Sequence, residues 1–283
     1  RSAGLRVRKG GGVKPGLHYD IPSSAYHADP CEVPSLSVSI AKVLLGRSPL
    51  HAFHRHPRLG AVPDDSQTPS KTRGSVIHDI LLGGGPAFTV IEADDFRTKA
   101  AQSIRDHALT TGGVPILARQ MEEYTEAADI IGRRLASQGV SLSGRSEVTA
   151  VWDAGVLCRG RLDHLLLDDG VILDLKTITA PSWDTLARHM INFGYDIQNA
   201  AYTEAIETLS PDLAGRVQFR FVFLECEAPY DVVVAEARGS MKRLGELKWE
   251  RAKATWKQCL SSGIWPGIAP LPVGIEAPLW AIT

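Results

Sequence analysis

Apolar and polar positions alternate along this chain in three zones. In residues 17–85, Ile40, Val43 and Leu44 recur at helical spacing, with Ser37 placed as an N-cap and Gly46 as a stop. A second short helix is expected after Pro49, and a third over 72–82 through Val76, Ile77, Ile80 and Leu81, ending at Gly83-Gly84-Gly85. Residues 61–71 between them are polar and contain proline, and read as a loop. Residues 86–140 read as mainly helical, with one helix over 95–109 and another over 115–138 that starts at Pro115 in the first helical position.

Strand patterns dominate the third zone. Segments 147–152, 156–167 and 171–176 predict three consecutive antiparallel strands joined by glycine-containing turns. Helices over 183–191 and 195–209, strands over 217–225 and 230–235, and a last helix over 240–261 follow. The sum is a mixed central sheet flanked by helices, an α/β or α+β fold. The organisation expected is a flexible basic tail over 1–16 and one domain over 17–283. That domain has a mainly helical first part (17–140), a core (141–267) and a C-terminal tail (268–283).

The densest chemistry lies in Gly160-Arg161-Leu162-Asp163, then Leu173-Asp174-Leu175-Lys176-Thr177, with Asp168-Asp169-Gly170 between. A two-residue turn at Asp169-Gly170 predicts Asp163 opposite Lys176 and Leu165 opposite Asp174. Asp163, Asp174 and Lys176 then share one face, because residues directly opposed or two apart along a strand do so. Two carboxylates on neighbouring strands suit a hard divalent cation such as Mg²⁺, and a lysine beside it can orient or help deprotonate a water. Phosphodiester hydrolysis needs both. The backbone carbonyl of Leu175 is a further candidate ligand, and Glu147 on the preceding strand could join the cluster. Gln198 and Tyr202 share a helix face at i,i+4. Spacing alone gives other readings to the histidines: a solvated basic face for His51, His54 and His56, and a structural role for His164.

Composition narrows the partners. The 283 residues carry 31 Lys+Arg and 32 Asp+Glu, a net charge of −1, which excludes a uniformly basic nucleic-acid coat but leaves a local basic groove open. No run of 18 apolar residues is present, so no membrane helix is expected. Cys31, Cys158, Cys226 and Cys259 lie far apart, without the close pairs of a zinc finger, and are expected as reduced thiols of a cytoplasmic protein.

Together, Gly-Arg-x-Asp, Asp-x-Lys and Gln-x-x-x-Tyr, in that order, resemble the PD-(D/E)XK nuclease superfamily in its RecB-like branch. The chain is most similar to phage RecE-type exonucleases, also called exonuclease VIII-like. That similarity rests on Tyr26-His27-Ala28-Asp29-Pro30, Gly74-Ser75-Val76-Ile77-His78 with Leu81-Leu82, Gly194-Tyr195-Asp196-Ile197-Gln198 and Trp265-Pro266-Gly267. The resemblance implies a restriction-endonuclease-like core. It implies a metal site of Asp163, Asp174, the Leu175 carbonyl and His78, with Glu147 completing the acidic cluster. Lys176 would act on the attacking water. Gln198 and Tyr202 would position the DNA strand or the site, and Arg161 and Thr177 would contact phosphate.

The function expected is a Mg²⁺-dependent exonuclease, with Mn²⁺ able to substitute, that digests duplex DNA ends 5′→3′ in phage-type recombination. It would work as a homo-oligomeric ring beside a single-strand annealing protein. Three alternatives stay open: a related endonuclease, an iron–sulfur nuclease of CRISPR adaptation or repair, and a non-catalytic DNA-binding scaffold.

Overall fold

The computed structural model describes residues 12–61, 73–83, 87–179, 182–269 and 273–277. Most of the expected tail (1–11) and loop (62–71), the end of the glycine run and the last residues lie outside the described residues. The first part holds β1 (Gly16–His18), α1 (Ser23–His27), β2 (Leu36–Ser37), α2 (Val38–Gly46), α3 (Pro49–Arg55) and α4 (Arg73–Leu82). Then come β3 (Phe88–Ile91), α5 (Lys99–Thr110), β4 (Val114–Leu117) and α6 (Ala118–Ser137). The core elements are β5 (Arg145–Asp153), β6 (Leu157–Leu166), β7 (Val171–Thr177), α7 (Trp183–Asn192), α8 (Tyr195–Leu209), β8 (Gln218–Leu224), β9 (Val232–Glu236) and α9 (Gly239–Ser262).

These elements build one mixed sheet in the order β1-β5-β6-β7-β8-β9, with β2 added in parallel to β6. β5, β6 and β7 are antiparallel, whereas β7 and β8 are parallel and joined through α7 and α8. Helices cover both faces. Phe219, Phe221 and Phe223 of β8 join α2, α8 and α9 in one core, while Val222 and Leu224 join Leu173 and Leu175 of β7 and helices α4 and α6 in a second. The strict alternation along β8 divides it between the two layers. Trp152, Trp249 and Trp256 are fully buried in the first core. Each removes on the order of 200 Å² from water, worth about 5 kcal/mol of transfer free energy before entropy is charged.

Several expectations require correction. Residues 86–140 are mainly helical, through α5 and α6, but they also hold two strands: β3 and β4 pair in parallel, and Pro115 sits in β4 opposite Thr89 instead of opening α6. A two-stranded sheet tolerates proline at an edge, so the β-branched Thr89-Val90-Ile91 run outweighed the helical pattern. Residues 12–16, assigned to the tail, are held: Val13 bridges Cys31 and Gly16 begins β1. The expected solvated histidine face fails at His56, which is fully buried with Nε2 3.2 Å from Asp29. Ser37 caps α2 as expected, its hydroxyl accepting from the Ile40 N–H.

Candidate metal and active site

The β6–β7 hairpin turns differently from the sequence reading. Its connection is Leu167 to Gly170, four residues long, closed by the Gly170 N–H donating to the Leu167 carbonyl at 3.0 Å, with Gly170 at φ +67°. The left-handed residue at its end needs glycine. The register therefore shifts by two: the pairs run His164↔Leu173, Leu165↔Ile172 and Leu166↔Val171. Leu165 does not face Asp174, and continuing the register brings Asp163 level with Asp174 instead of Lys176. Past His164 the Asp163 carboxylate takes over from the ladder, accepting the Leu175 N–H at 2.9 Å.

Three side chains converge there. Ligand atoms of His78, Glu147 and Asp163 all lie within 4.8 Å of one another, the one such group of three or more among the described residues. Glu147 comes from β5, between the Ser146↔His164 and Val148↔Leu162 pairs, and has φ +56°. A left-handed glutamate inside a strand is strained, and such strain persists only where neighbours enforce it. Arg161 does so with Nε 2.5 Å from Glu147 while its Nη1 donates to the Ile21 carbonyl at 2.9 Å. His78 arrives on α4, with Nε2 3.4 Å from Asp163. Gly74 allows that approach, since a Cβ there would stand 2.5 Å from Thr177 Cγ2. The glycine of Gly74-Ser75-Val76-Ile77-His78 thus sets how near the histidine comes.

Asp174 sits beside this group, fully buried. Gln198 Nε2 donates to its Oδ1 at 2.5 Å, and its Oδ2 touches the Lys176 ammonium without a well-aligned hydrogen bond. Burial pushes the Asp174 carboxyl up and the Asp163 charge adds to that, so that it reaches about 6 despite Lys176. Burial opposes the His78 imidazolium, yet contacts with Asp163 and Asp79 outweigh it and hold His78 up to about 10. Asp163 is also buried, but His78 and Lys176 pull its carboxyl below the usual range. Lys176 is held above its ordinary value, the carboxylates of Asp174 and Asp163 outweighing burial. The metal-free site therefore neutralises itself, with two cations opposite its acids. An oxygen-rich set with one imidazole, plus a buried carboxylate oxygen that has the Lys176 ammonium beside it but no aligned hydrogen bond, fits a divalent cation.

The site opens to solvent through a cleft of about 450 Å³ lined by Gly74, His78, Asp163, Leu175, Lys176, Thr177 and Tyr195. Thr177 lines this cleft. The other substrate-contact candidates are engaged with the protein. Tyr202 is buried, its hydroxyl accepting the Arg161 N–H at 3.4 Å and its ring lying on Gly160. Gln198 is buried against Asp174, and Arg161 holds Glu147, so these three position the site's own groups. His164 is buried between the Gly144 N–H and the Ser146 hydroxyl, a structural role as read. Sequence reasoning missed Tyr195 as a wall of the site, although it follows Gly194 in the quoted motif; its ring lies 5.1 Å from the Lys176 ammonium. The four cysteines are free and none belongs to the ligand group.

A mixed sheet between helical layers, with an acid on one strand and Asp-x-Lys on the next, defines a PDDEXK-like fold. The family model described as "PDDEXK-like domain of unknown function (DUF3799)" matches residues 91–270, and the chain belongs to that family. No curated protein matches the sequence. Among solved structures, a crystal structure of a "Putative exonuclease" from Eubacterium rectale superposes with a TM-score of 0.56 at 15% identity. The match covers 93% of this chain and 96% of that one, and shows a common fold. No helix among the described residues is long and apolar enough to cross a membrane.

Proposed function

We propose that this chain is a divalent-metal-dependent DNA exonuclease that removes nucleotides from duplex ends, 5′→3′, in phage-type recombination or repair. The observation that carries the reading is the grouping of His78, Glu147 and Asp163 beside the buried Asp174–Lys176 pair in an open cleft. His78, Asp163 and Glu147, with Asp174 and the Leu175 carbonyl, would hold the cation. When bound, that cation supplies charge neutralisation at the scissile phosphate and an acidified water. Mg²⁺ is the expected ion, and the imidazole donor makes Mn²⁺ a good substitute.

The chain's own residues supply the rest. Lys176 remains an ammonium beside Asp174, so it orients the attacking water and balances phosphate charge instead of removing a proton. Gln198 keeps one Asp174 oxygen occupied and directs the other toward the site. Arg161 fixes Glu147, and Tyr202 fixes the strand that carries Asp163. Thr177 is placed to contact a phosphate at the cleft. In this role the protein assembles as a homo-oligomeric ring in the cytoplasm and works with a single-strand annealing protein.

Digestion of 5′- and 3′-end-labelled linear duplex DNA, beside a circular duplex, with and without Mg²⁺, tests the reading. The expected result is Mg²⁺-dependent release of nucleotides from the 5′ label with the circle intact. Equal cutting of circles would overturn the exonuclease assignment and leave an endonuclease of the same fold.

A further inference from the structure

Two lysines share the Tyr195 ring at the mouth of the cleft. The Lys176 ammonium lies 5.1 Å from the ring centroid and that of Lys42, on α2, lies 5.4 Å from it. Their charges are answered differently. Lys176 touches Asp174, whereas Lys42 has no carboxylate at ion-pair distance among the described residues. Burial and the neighbouring Lys176 charge lower the Lys42 ammonium to about 8, and the two carboxylates that oppose them each carry another lysine: Asp174 holds Lys176, and Asp196 holds Lys248 at 2.6 Å. Nor is Lys42 loosely placed. Its stem lies over Gly194, where a Cβ would meet Lys42 Cε at 2.9 Å and Cγ at 3.0 Å. A half-buried cation without a counter-ion costs free energy unless a ligand supplies the anion.

The surroundings extend that excess charge. From Val33 to Pro63 the chain contains no Asp or Glu, although its overall charge is balanced. Within that stretch His56 and Arg58 are spent internally, on Asp29 and on the Cys31 and Glu32 carbonyls. Arg47 and Arg55 are exposed and their side chains have no partner among the described residues. They line a groove of about 450 Å³ with Ser39 and His51, and Ser39 neighbours Lys42 on the helix surface at i,i+3. Lys42 and Arg47 are about 7.5 Å apart along the helix axis, more than one phosphate group spans.

We propose that Lys42, Arg47 and Arg55 form a track for the phosphate backbone of the DNA strand that enters the metal cleft, with Lys42 holding a phosphate near the one hydrolysed. This rests on the nuclease reading above and adds the path of its substrate. By contrast, two other basic residues are already ion-paired: Arg73 to Glu123 at 2.7 Å and Arg220 to Glu236 at 3.1 Å.

The test is equilibrium binding of a labelled duplex in Ca²⁺ over a salt series, together with steady-state cleavage in Mg²⁺. The variants are Lys42→Met, Lys42→Arg and the double Arg47→Gln/Arg55→Gln. Lys42→Met keeps the stem over Gly194 and removes only the charge; Lys42→Gln is the second choice if it does not fold. Lys42→Met should weaken binding about 5- to 10-fold and lower the slope of log affinity against log salt by about 0.7–0.9, and the double variant by about twice that. KM should rise more than kcat falls, and Lys42→Arg should restore binding to within about twofold. Unchanged affinity and slope in both charge-removing variants, with a parent that binds and cleaves, would overturn the track alone. A parent that neither binds nor cleaves DNA would overturn the track and the nuclease reading together.

Discussion

Asp29 and Asp174 are both buried, at 4% and 0% exposure, and both face cations, yet their protonation is driven in opposite directions. Asp29 is fully served. Its Oδ2 accepts the Ser35 N–H at 2.9 Å with His56 Nε2 3.2 Å away, and its Oδ1 accepts the Ser35 hydroxyl at 2.8 Å with Arg159 at 3.2 Å. Burial alone would raise its carboxyl, but the His56 contact, Arg159 and Ser35 together lower it. Asp174 has one good donor, Gln198, one misaligned ammonium and a second carboxylate nearby, and its carboxyl rises to about 6. The lesson is in the completeness of the partners. A buried carboxylate whose oxygens are all engaged belongs to the frame, here fastening the N-terminal segment to β6 through Arg159. One left short has capacity for a cation.

Replacement separates the two most sharply. Asp174→Asn should lower Mg²⁺-dependent cleavage by about a thousandfold or more, while DNA binding in Ca²⁺ is kept and the urea midpoint of the metal-free protein does not fall. Retained cleavage would remove Asp174 from the site. Asp29→Ala should do the reverse. It strands His56 and Arg159 without their carboxylate and should cost about 3–5 kcal/mol in urea unfolding, with cleavage per folded molecule preserved. A loss of activity without a loss of stability would collapse the contrast.

Acid titration sharpens the comparison with a smaller effect. Asp29 has a depressed folded pKa, so its stabilisation is present above about pH 4 and fades as pH falls through the folded value. Asp174 has a raised one. Between about pH 4 and its folded value near 6 the unfolded chain gives up this proton and the folded chain keeps it, so metal-free protein loses stability as pH rises through that window. Metal-free unfolding curves of the parent and Asp174→Asn from pH 3 to 8 should diverge in that sense. Parallel curves would mean that Asp174 ionises normally.

Much of the candidate site was legible in linear order. Asp163, Asp174 and Lys176 stand out because strand alternation puts the polar residues of Ile172-Asp174-Lys176 on one side and Leu173 and Leu175 on the other, and Leu173 and Leu175 do enter the second core. The four-residue turn was not legible, because Asp169-Gly170 fits a two-residue connection equally well on local grounds. Gly160 illustrates the boundary. Its place before Arg161 and Asp163 is visible in sequence, but its cause is the ring of Tyr202 on α8, which a Cβ would meet at 2.5 Å.

By itself, then, the sequence determined the alternation of the strands, the Ser37 cap, the order of the acidic and basic motif residues, and a carboxylate-free stretch within a chain of near-zero net charge. These follow from local geometry and counting. Tertiary structure alone decided how near His78 and Glu147 come to Asp163, that Arg161, Gln198 and Tyr202 support the site from within, that His56 is buried, and that Lys42 has no carboxylate at ion-pair distance among the described residues. Each of those depends on distances between residues remote in the chain. Burial and electrostatic pairing are properties of what packs around a group, and no local pattern encodes them.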